Sequence, residues 1–377
     1  MRRYLDHNAT CPPVERALDA WLEAARDAPG NASSMHWAGR AARRILDDSR
    51  ESIASHIGAD AGSIVFTSGG TEANNLAIYG HLSRQQPGRI LVSAIEHLSV
   101  LQPCERWQEM GMQLEYVRPG SDGIVDVETF ESRLTKDTRL VCLMAANNET
   151  GAVQAVQKLC EVCRERDITV LVDAVQALGK LPVNVGEWGA DFVSFSAHKI
   201  GGPKGVGALV VRRGMQVQEL TPGGGQERRR RSGTENIPGI AGFTAALGEI
   251  DFQSFGPLRD SFERELCRTF EDVSVFCREV DRLPNTSMFC IPGMDSETLL
   301  MQLDLAGFAV ASGSACSSGK HESSHVLAAM GCSEDAARGS VRVSFGPGNT
   351  EADVSALIEE LARIRSRLQN MAGADLG

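Results

Sequence analysis

One cysteine of this chain stands in a setting that does not normally bury a thiol. Cys316 lies in ASGSACSSGKHESSHV, residues 311–326, among small and hydroxylated residues. A thiol attacks as the thiolate, and exposure near positive charge favours that form. Lys320 and His321 follow in the same stretch. We therefore expect Cys316 to be a reactive thiol on a loop.

A lysine flanked by hydroxyl and imidazole groups ends an apolar strand pattern. In SFSAHKIGGPKG, residues 194–205, Ser196, His198 and Lys199 precede a glycine-rich turn. Burial lowers the pKa of an amine, and such an amine can act as a nucleophile. An isolated lysine at a strand end is usually a surface residue. The neighbours of Lys199 favour an active amine instead.

Two further stretches supply an anion site and a carboxylate. In FTSGGTEANNLAIYG, residues 66–80, glycines join a strand to a helix that begins near Thr71. This arrangement is typical of a phosphate site and also of an ordinary connection. VLVDAVQALGK, residues 170–180, ends a strand in Asp173, which suits a ligand crevice or a helix N-cap. A phosphate site, the Lys199 amine and the Asp173 carboxylate are together the groups that pyridoxal 5'-phosphate (PLP) requires.

The elements that must position these groups alternate between strands and helices. Apolar runs lie at 89–94, 114–118, 139–147, 169–175, 191–197 and 206–213. Helical patterns such as 156–167 separate several of them, which predicts a mostly parallel sheet covered by helices. After Ile250 the pattern changes to a helix over 261–273, short strands and a helix from 351 to about 370. A smaller α+β domain is expected there.

Composition limits the class of protein. A chain of 377 residues is expected to form about two domains, and a net charge of −11 argues against a general nucleic-acid or anionic-membrane surface. We find no signal peptide and no apolar stretch long enough for a membrane helix.

The ten cysteines are scattered, which is typical of reduced thiols in a cytoplasmic protein. The CEVC pair, Cys160 and Cys163, lies in a helical pattern without a second ligand pair, which favours core residues over zinc.

The motifs also occur together in a known order. They are YLDHNAT (4–10), GNASSMH (30–36), TSGGTEANN (67–75), EH (96–97), NNETG (147–151), VDAVQ (172–176), SFSAHKIGGPKG (194–205), GGGQERRRRSGTEN (223–236) and SGSACSSG (312–319). This set resembles the cysteine desulfurases of the NifS/IscS group, which are class V aminotransferase-like enzymes, over nearly the whole chain.

The resemblance implies the α/β fold of a fold-type I PLP-dependent transferase. Its large PLP-binding domain, with a mostly parallel seven-stranded sheet, is expected over residues 16–252. Residues 1–15 and 253–377 are expected to form a smaller α+β domain that carries the loop of Cys316.

The resemblance also implies roles for individual residues. Lys199 would hold the cofactor covalently and remove the substrate Cα proton, His97 would stack on the ring and assist proton transfers, and Cys316 would receive sulfur. The cofactor-binding residues implied are Gly70, Thr71, His97, Asn148, Asp173, Gln176, Ser196, His198, Lys199 and Thr234. Arg342 and Asn148 would bind the substrate, with the arginine on its carboxylate.

The implied reaction converts L-cysteine to L-alanine and leaves a persulfide on Cys316. The persulfide would pass to an acceptor protein, such as an iron–sulfur scaffold or another sulfur carrier, and Cys316 would serve as a transient shared ligand of the cluster. Thr234 would reach the cofactor of a neighbouring subunit, so a homodimer is expected. No membrane and no direct nucleic-acid partner are expected.

Three residues depart from the pattern of the family, and two alternatives stay open. Cys11 replaces a common threonine, Ala32 a proline and Arg229 a glycine, and the run 228–231 is either a solvated face or a surface for an acidic acceptor. The chain ends soon after its last helix pattern, which favours a NifS-like member.

Another reaction on the same scaffold, such as transamination or selenocysteine cleavage, is the first alternative function, although the SGSACSSG loop argues against it. The second is a non-catalytic relative, against which the joint presence of the catalytic residues argues.

Overall fold

The computed structural model describes residues 2–313 and 323–374, so Cys316 lies outside the described residues. The strands are β1 (Arg3–Tyr4), β2 (Ile64–Thr67), β3 (Arg89–Ser93), β4 (Gln113–Val117), β5 (Thr138–Cys142), β6 (Thr169–Asp173), β7 (Phe192–Ser196), β8 (Gly207–Val211), β9 (Ser274–Val275), β10 (Thr286–Cys290), β11 (Phe308–Ala309), β12 (Ala311–Ser312) and β13 (Ser340–Ser344). The helices are α1 (Glu15–Asp27), α2 (Trp37–His56), α3 (Gly70–Leu82), α4 (Leu98–Glu109), α5 (Val127–Arg133), α6 (Val156–Arg164), α7 (Val185–Trp188), α8 (Gln226–Arg229), α9 (Ile237–Ala246), α10 (Gly256–Thr269), α11 (Ser296–Leu305), α12 (His325–Ala329), α13 (Glu334–Arg338) and α14 (Glu351–Ala374).

The central sheet has seven strands in the order β2-β8-β7-β6-β5-β3-β4. Its pairs are parallel except where β8 meets β2 and β7. Strands β2, β7 and β8 are buried along their whole length, as expected of apolar strands covered by helices on both faces. The prediction of a mostly parallel seven-stranded α/β sheet is therefore confirmed.

The direction of β8 brings one more strand end to the functional edge of the sheet. Because β8 is antiparallel to both β2 and β7, these two run in the same direction. The carboxyl ends of β2, β3, β5, β6 and β7 therefore all lie at one edge, where α/β folds bind ligands. The motifs that follow these strands in sequence are brought together by this topology.

A second sheet, in the order β12-β13-β10-β9, is antiparallel throughout. A separate cluster of buried apolar side chains from β10, β13, α10, α11 and α14 covers it, including Phe262, Phe289 and Phe345. The phenylalanines meet edge to face, with ring centroids 5.6 and 5.9 Å apart. The expected α+β pattern after Ile250 is present in this part of the chain.

Residues 3–10 run between the two sheets. Strand β1 pairs with β11, and Asp6 forms a bridge to Ser344 at the end of β13. The side-chain amide of Asn8 donates to Thr286 Oγ1 at 2.8 Å and to the main-chain oxygen of Asn148 at 3.2 Å. This segment therefore ties the second sheet to the ligand edge of the first.

The single turn α8 has an unusual backbone. Glu227, Arg228 and Arg229 have φ values of 44°, 58° and 61°, in the left-handed region that side chains other than glycine rarely adopt. The buried carboxylate of Glu227 holds the turn, because it accepts two bonds from the Arg50 guanidinium and one from the main-chain N–H of Phe66. Tertiary contacts therefore impose this backbone.

Replacing Arg229 by glycine is expected to raise the free energy of unfolding by up to about 1 kcal/mol, because glycine adopts a positive φ without the Cβ penalty. Urea unfolding followed by circular dichroism measures the change. The matched control is Arg230→Gly, since Arg230 has a φ of −103° and gains nothing from glycine. An equal or larger gain in the control would contradict this explanation.

The cysteines of the described residues are all free thiols. Cys160 and Cys163 are buried on α6, and burial raises the pKa of Cys163 to about 12. No group of three or more metal-ligating side chains occurs in residues 2–313 and 323–374. Within the same ranges, no helix combines the length and the apolar character needed to cross a membrane.

Candidate active site

A cavity of about 320 Å³ opens at the carboxyl edge of the central sheet. It is lined by Asn8, Ala9, Gly70, Thr71, Asn74, His97, Ser99, Met144, Ala146, Asn148, Asp173, Val175, Gln176, Ser196, His198, Lys199 and Arg342. A larger groove of about 880 Å³ lies among α1, α2 and α9, but none of the predicted functional residues lines it. The chemistry predicted from the sequence is therefore concentrated in the smaller cavity.

The N-terminus of α3 forms one end of the cavity. The turn before it needs glycine, because Gly69 has a φ of 154°, and a Cβ on Gly70 would lie 2.5 Å from Val175 Cγ2. The first main-chain N–H groups of the helix have no helical acceptor and favour an anion. The Ser196 hydroxyl lines the same cavity at the end of β7. This end can hold a phosphate group.

His198 lies next to this anion site. Its Nδ1 is 3.1 Å from the Thr10 hydroxyl. Burial, together with the nearby charges of Lys199, Lys204 and Lys180, lowers the pKa of His198 to about 4. The ring is therefore neutral near pH 7 and contributes hydrogen bonds rather than charge.

Asp173 ends β6 and is almost fully buried. Its Oδ1 accepts the N–H of Val175 at 2.9 Å, and its Oδ2 accepts the side-chain amide of Asn74 at 2.8 Å. These two bonds fix the carboxylate at the cavity wall. The position suits a counter-ion for a protonated ring nitrogen.

A second carboxyl group, Glu96, lies near Asp173 but is fully buried. Burial and then the charge of Asp173 raise the pKa of Glu96 well above its ordinary value. Glu96 Oε1 accepts the Met144 N–H at 2.6 Å, and Oε2 has no partner among the described residues. The raised pKa favours the protonated, neutral form of Glu96.

Two lysine amines meet at Asn8. Lys199 Nζ donates to the main-chain oxygens of Asn8 and Ala9 at 2.7 and 2.8 Å. Lys180 Nζ donates to Asn8 Oδ1 at 2.7 Å and to Gln176 Oε1 at 2.6 Å. Burial, with a smaller effect of Lys199, lowers the pKa of Lys180 well below its ordinary value. Lys180 thereby fixes the Gln176 amide, whose Nε2 donates to the Asn8 oxygen at 3.0 Å.

Arg342 enters the cavity from β13 of the second sheet. One terminal nitrogen donates to Asp6 Oδ1 at 2.6 Å and the other to the main-chain oxygen of Asn148 at 2.8 Å. Its Nε is buried without a partner among the described residues. The guanidinium is thus held rigidly at the cavity wall, where its charge suits a carboxylate.

His97 forms another wall of the cavity as the N-cap of α4. Its Nδ1 accepts the Ser99 main-chain N–H at 3.0 Å and lies 2.8 Å from the Ser99 hydroxyl. Burial lowers the pKa of His97, while Asp173 opposes that change.

The structure brings together all the predicted site residues except two. Thr234 is exposed and does not line the cavity, and Cys316 falls outside the described residues. The sequence patterns assign no role to six other polar residues near the cavity, which are Asp6, Asn8, Asn74, Glu96, Ser99 and Lys180. Some signal for them existed in the sequence, because four of these residues lie in the quoted motifs and Lys180 ends the quoted stretch 170–180, four residues after Gln176.

The sequence is similar to those of known proteins over nearly its whole length. The family model described as class-V aminotransferase matches residues 3–357. The chain is 40% identical over 377 residues to a cysteine desulfurase IscS of Dictyoglomus turgidum, covering 98% of this chain and 96% of that relative. The match is therefore nearly full length on both sides.

Solved structures agree with this assignment. A NifS-like protein superposes with a TM-score of 0.90 at 33% identity, covering 97% of this chain and 100% of the other. The structure titled SspA in complex with cysteine superposes with a TM-score of 0.83 at 30% identity, covering 93% of this chain and 100% of the other. The chain belongs to the class-V aminotransferase family, and within it to the cysteine desulfurases of the NifS/IscS type.

Proposed function

We propose that this protein is a PLP-dependent cysteine desulfurase that converts L-cysteine to L-alanine and transfers the sulfur to Cys316 as a persulfide. The observation that carries the proposal is one cavity that combines an anion site, the Lys199 amine, the Asp173 carboxylate and the Arg342 guanidinium. The cysteine desulfurase IscS named above and the structure solved with cysteine support the substrate.

Enzymes of this family depend on PLP, and the cavity has the donors that this cofactor needs. The helix N-terminus, Thr71 and Ser196 suit its phosphate, and Asp173 suits its ring nitrogen. Gln176, fixed by Lys180, presents an amide for the ring hydroxyl. When bound, the cofactor supplies an electron sink for the electrons released at the substrate Cα.

Side chains of this protein would carry out proton removal, substrate orientation and sulfur transfer. Lys199 would hold the cofactor covalently until substrate binds, and its freed amine would then remove the Cα proton. Arg342, fixed by Asp6 and the Asn148 oxygen, orients the substrate carboxylate. The Cys316 thiolate would attack the substrate sulfur as the Cβ–S bond breaks, and the electron pair of that bond would stay with the carbon skeleton. This leaves a persulfide on Cys316, and proton uptake at Cβ and Cα gives alanine.

Replacing Cys316 by alanine tests this function. We expect the purified variant to keep the yellow colour and absorption band of the bound cofactor and to lose the release of sulfide from cysteine, because only the sulfur acceptor is removed. Cys267→Ala, which removes a partly exposed thiol on α10, is the matched control and should keep full activity. Full turnover by the Cys316 variant would instead favour another reaction on this scaffold.

We propose that the persulfide sulfur is used for iron–sulfur cluster assembly in the cytoplasm, with Cys316 as a transient ligand of the cluster. The IscS and NifS-like relatives and the free thiols of the described residues support this proposal. Trapping the Cys316 persulfide in cell extract and identifying the crosslinked protein by mass spectrometry tests it. A crosslinked carrier for tRNA or DNA thiolation would refute it.

We propose that the active form is a homodimer in which Thr234 binds the cofactor phosphate of the partner subunit. Thr234 is exposed, and Met35 and Trp37 at the start of α2 are 91% and 70% exposed, which is unusual for large apolar side chains. Light scattering should give twice the mass of the 40.5 kDa chain. A monomeric active enzyme would refute the shared site.

We also propose the domain division given by the motifs, with residues 16–252 as the large domain and residues 1–15 and 253–377 as the small one. The apolar cluster around Phe262 supports it, because all its buried members lie within the second set of residues. Limited proteolysis should first cleave the chain near residue 252. Early cleavage within α3–α7 would count against this boundary.

A further inference from the structure

The Asp173 carboxylate and the His97 ring are joined by a continuous chain of hydrogen bonds through two residues to which the family motifs assign no task. Asn74 on α3 is fully buried, and its Nδ2 donates to Asp173 Oδ2 at 2.8 Å and to Ser99 Oγ at 2.9 Å. Ser99 Oγ in turn lies 2.8 Å from His97 Nδ1. All four side chains line the cavity.

The orientation of the Asn74 amide follows from its partners. A carboxylate oxygen accepts hydrogen bonds, so the atom of Asn74 that faces Asp173 must be the nitrogen. The same nitrogen donates its second hydrogen to Ser99 Oγ. The Oδ1 atom is left buried without a partner among the described residues, which is the energetic cost of this arrangement.

The direction of the next bond follows from this one. Ser99 Oγ receives a hydrogen from Asn74, so its own hydrogen is available to His97 Nδ1. The main-chain N–H of Ser99 also donates to the same Nδ1 at 3.0 Å. A ring nitrogen that receives two hydrogen bonds carries no hydrogen, so the neutral ring must carry its hydrogen on Nε2.

We propose that Asn74 and Ser99 are positioning residues that hold His97 as a neutral ring with the hydrogen on Nε2. His97 then meets the bound ligand as a hydrogen-bond donor in the resting enzyme. It cannot accept a proton at Nε2, so the proton from the substrate Cα is left to Lys199. This inference rests on the proposed function and refines the role of His97 within it.

The charged and titratable groups around His97 agree with a neutral ring. Burial lowers the pKa of His97, and Lys199 and His325 lower it further, while Asp173 raises it. Other groups share a second cavity with His97; they are Glu105, Arg118 and Glu149. Asn74 carries no charge, so it links Asp173 to Ser99 without adding a second anion beside the ring.

Nuclear magnetic resonance of the cofactor-loaded enzyme without substrate tests the inference, with ¹⁵N-labelled histidine and His97→Gln to assign the signal. We expect Nδ1 of His97 to be unprotonated near neutral pH. Ser99→Ala and Asn74→Leu should each raise the pKa of His97 by about one unit, because each weakens the bonding that favours the neutral ring. The acidic limb of the pH–rate profile should move to higher pH by a similar amount.

The matched control is Asn75→Leu, on the same helix. Among the described residues, the Asn75 side-chain amide donates to the main-chain oxygens of Thr71 and Ser99 and not to the His97 ring, so the His97 signal should not change. A hydrogen on Nδ1 of His97 in the wild type would overturn the inference, as would an unchanged pKa in Ser99→Ala. Ser99→Ala removes one oxygen and remains informative if Asn74→Leu does not fold. The measurement needs no turnover, so it is independent of whether the protein releases sulfur from cysteine.

Discussion

Replacing Lys199 by alanine is expected to lower the rate of alanine formation from cysteine by about a thousandfold or more. A positioned base contributes roughly 10²- to 10⁴-fold to a proton transfer, and the variant also loses its covalent hold on the cofactor. Lys180 cannot replace it, because its amine is fully buried and is bonded to Asn8 and Gln176. Single-turnover measurement of alanine, with the cofactor supplied in excess, gives the rate.

The matched control for this variant is Lys204→Ala. Lys204 is an exposed lysine in the glycine-rich turn that follows Lys199. It should keep full activity, and the absorption band of the covalently bound cofactor should disappear only in Lys199→Ala. A small primary amine added to Lys199→Ala should restore part of the proton transfer. Equal loss in both variants would show that the loop, rather than the Lys199 amine, is required.

Replacing Arg342 by lysine is expected to lower kcat/KM for cysteine by about a hundredfold, mostly through KM. Lysine keeps the charge but loses the two-pronged geometry, and a hydrogen bond to a charged group contributes about 1.5–3 kcal/mol. The change also removes the bonds by which Asp6 and the Asn148 oxygen hold the guanidinium. Steady-state kinetics at several cysteine concentrations separate KM from kcat.

A change of substrate tests whether this loss concerns the carboxylate. Cysteine methyl ester lacks the anionic group, so the wild-type enzyme should use it far less well than cysteine. Arg342→Lys should discriminate much less between the two substrates. If the variant lost the same factor on both, Arg342 would be stabilising the cavity rather than binding the carboxylate.

The central sheet could be predicted from the sequence because its strands carry their own signal. Runs such as 169–175 and 191–197 are apolar, because helices cover both faces of the sheet, and they contain β6 and β7. The side chains that end these strands, Asp173 and Ser196, could then be placed at one edge. Strand pairing thus brings motifs that are far apart in the sequence to the same cavity.

Other parts of the site depend on contacts that residue types do not reveal. The oxygens that receive Lys199 belong to the main chain of Asn8 and Ala9, and main-chain groups leave no trace in the sequence. Lys180 is a fully buried lysine, whereas lysines are normally exposed. The left-handed turn at Arg229 is held because the neighbouring Glu227 pairs with Arg50, which lies 177 residues earlier in the sequence.

The segment of residues 3–10 has a consequence for how the enzyme matures. Asp6 bonds to Arg342, which follows it by 336 residues, and Arg3 pairs with Phe308. During synthesis, the segment whose main-chain oxygens accept hydrogen bonds from Lys199 therefore lacks its contacts with β13 until that strand has left the ribosome. The central sheet can form earlier, because its strands lie between residues 64 and 211. The binding group for the substrate carboxylate thus joins the cavity only after the strands that form most of its walls have been made.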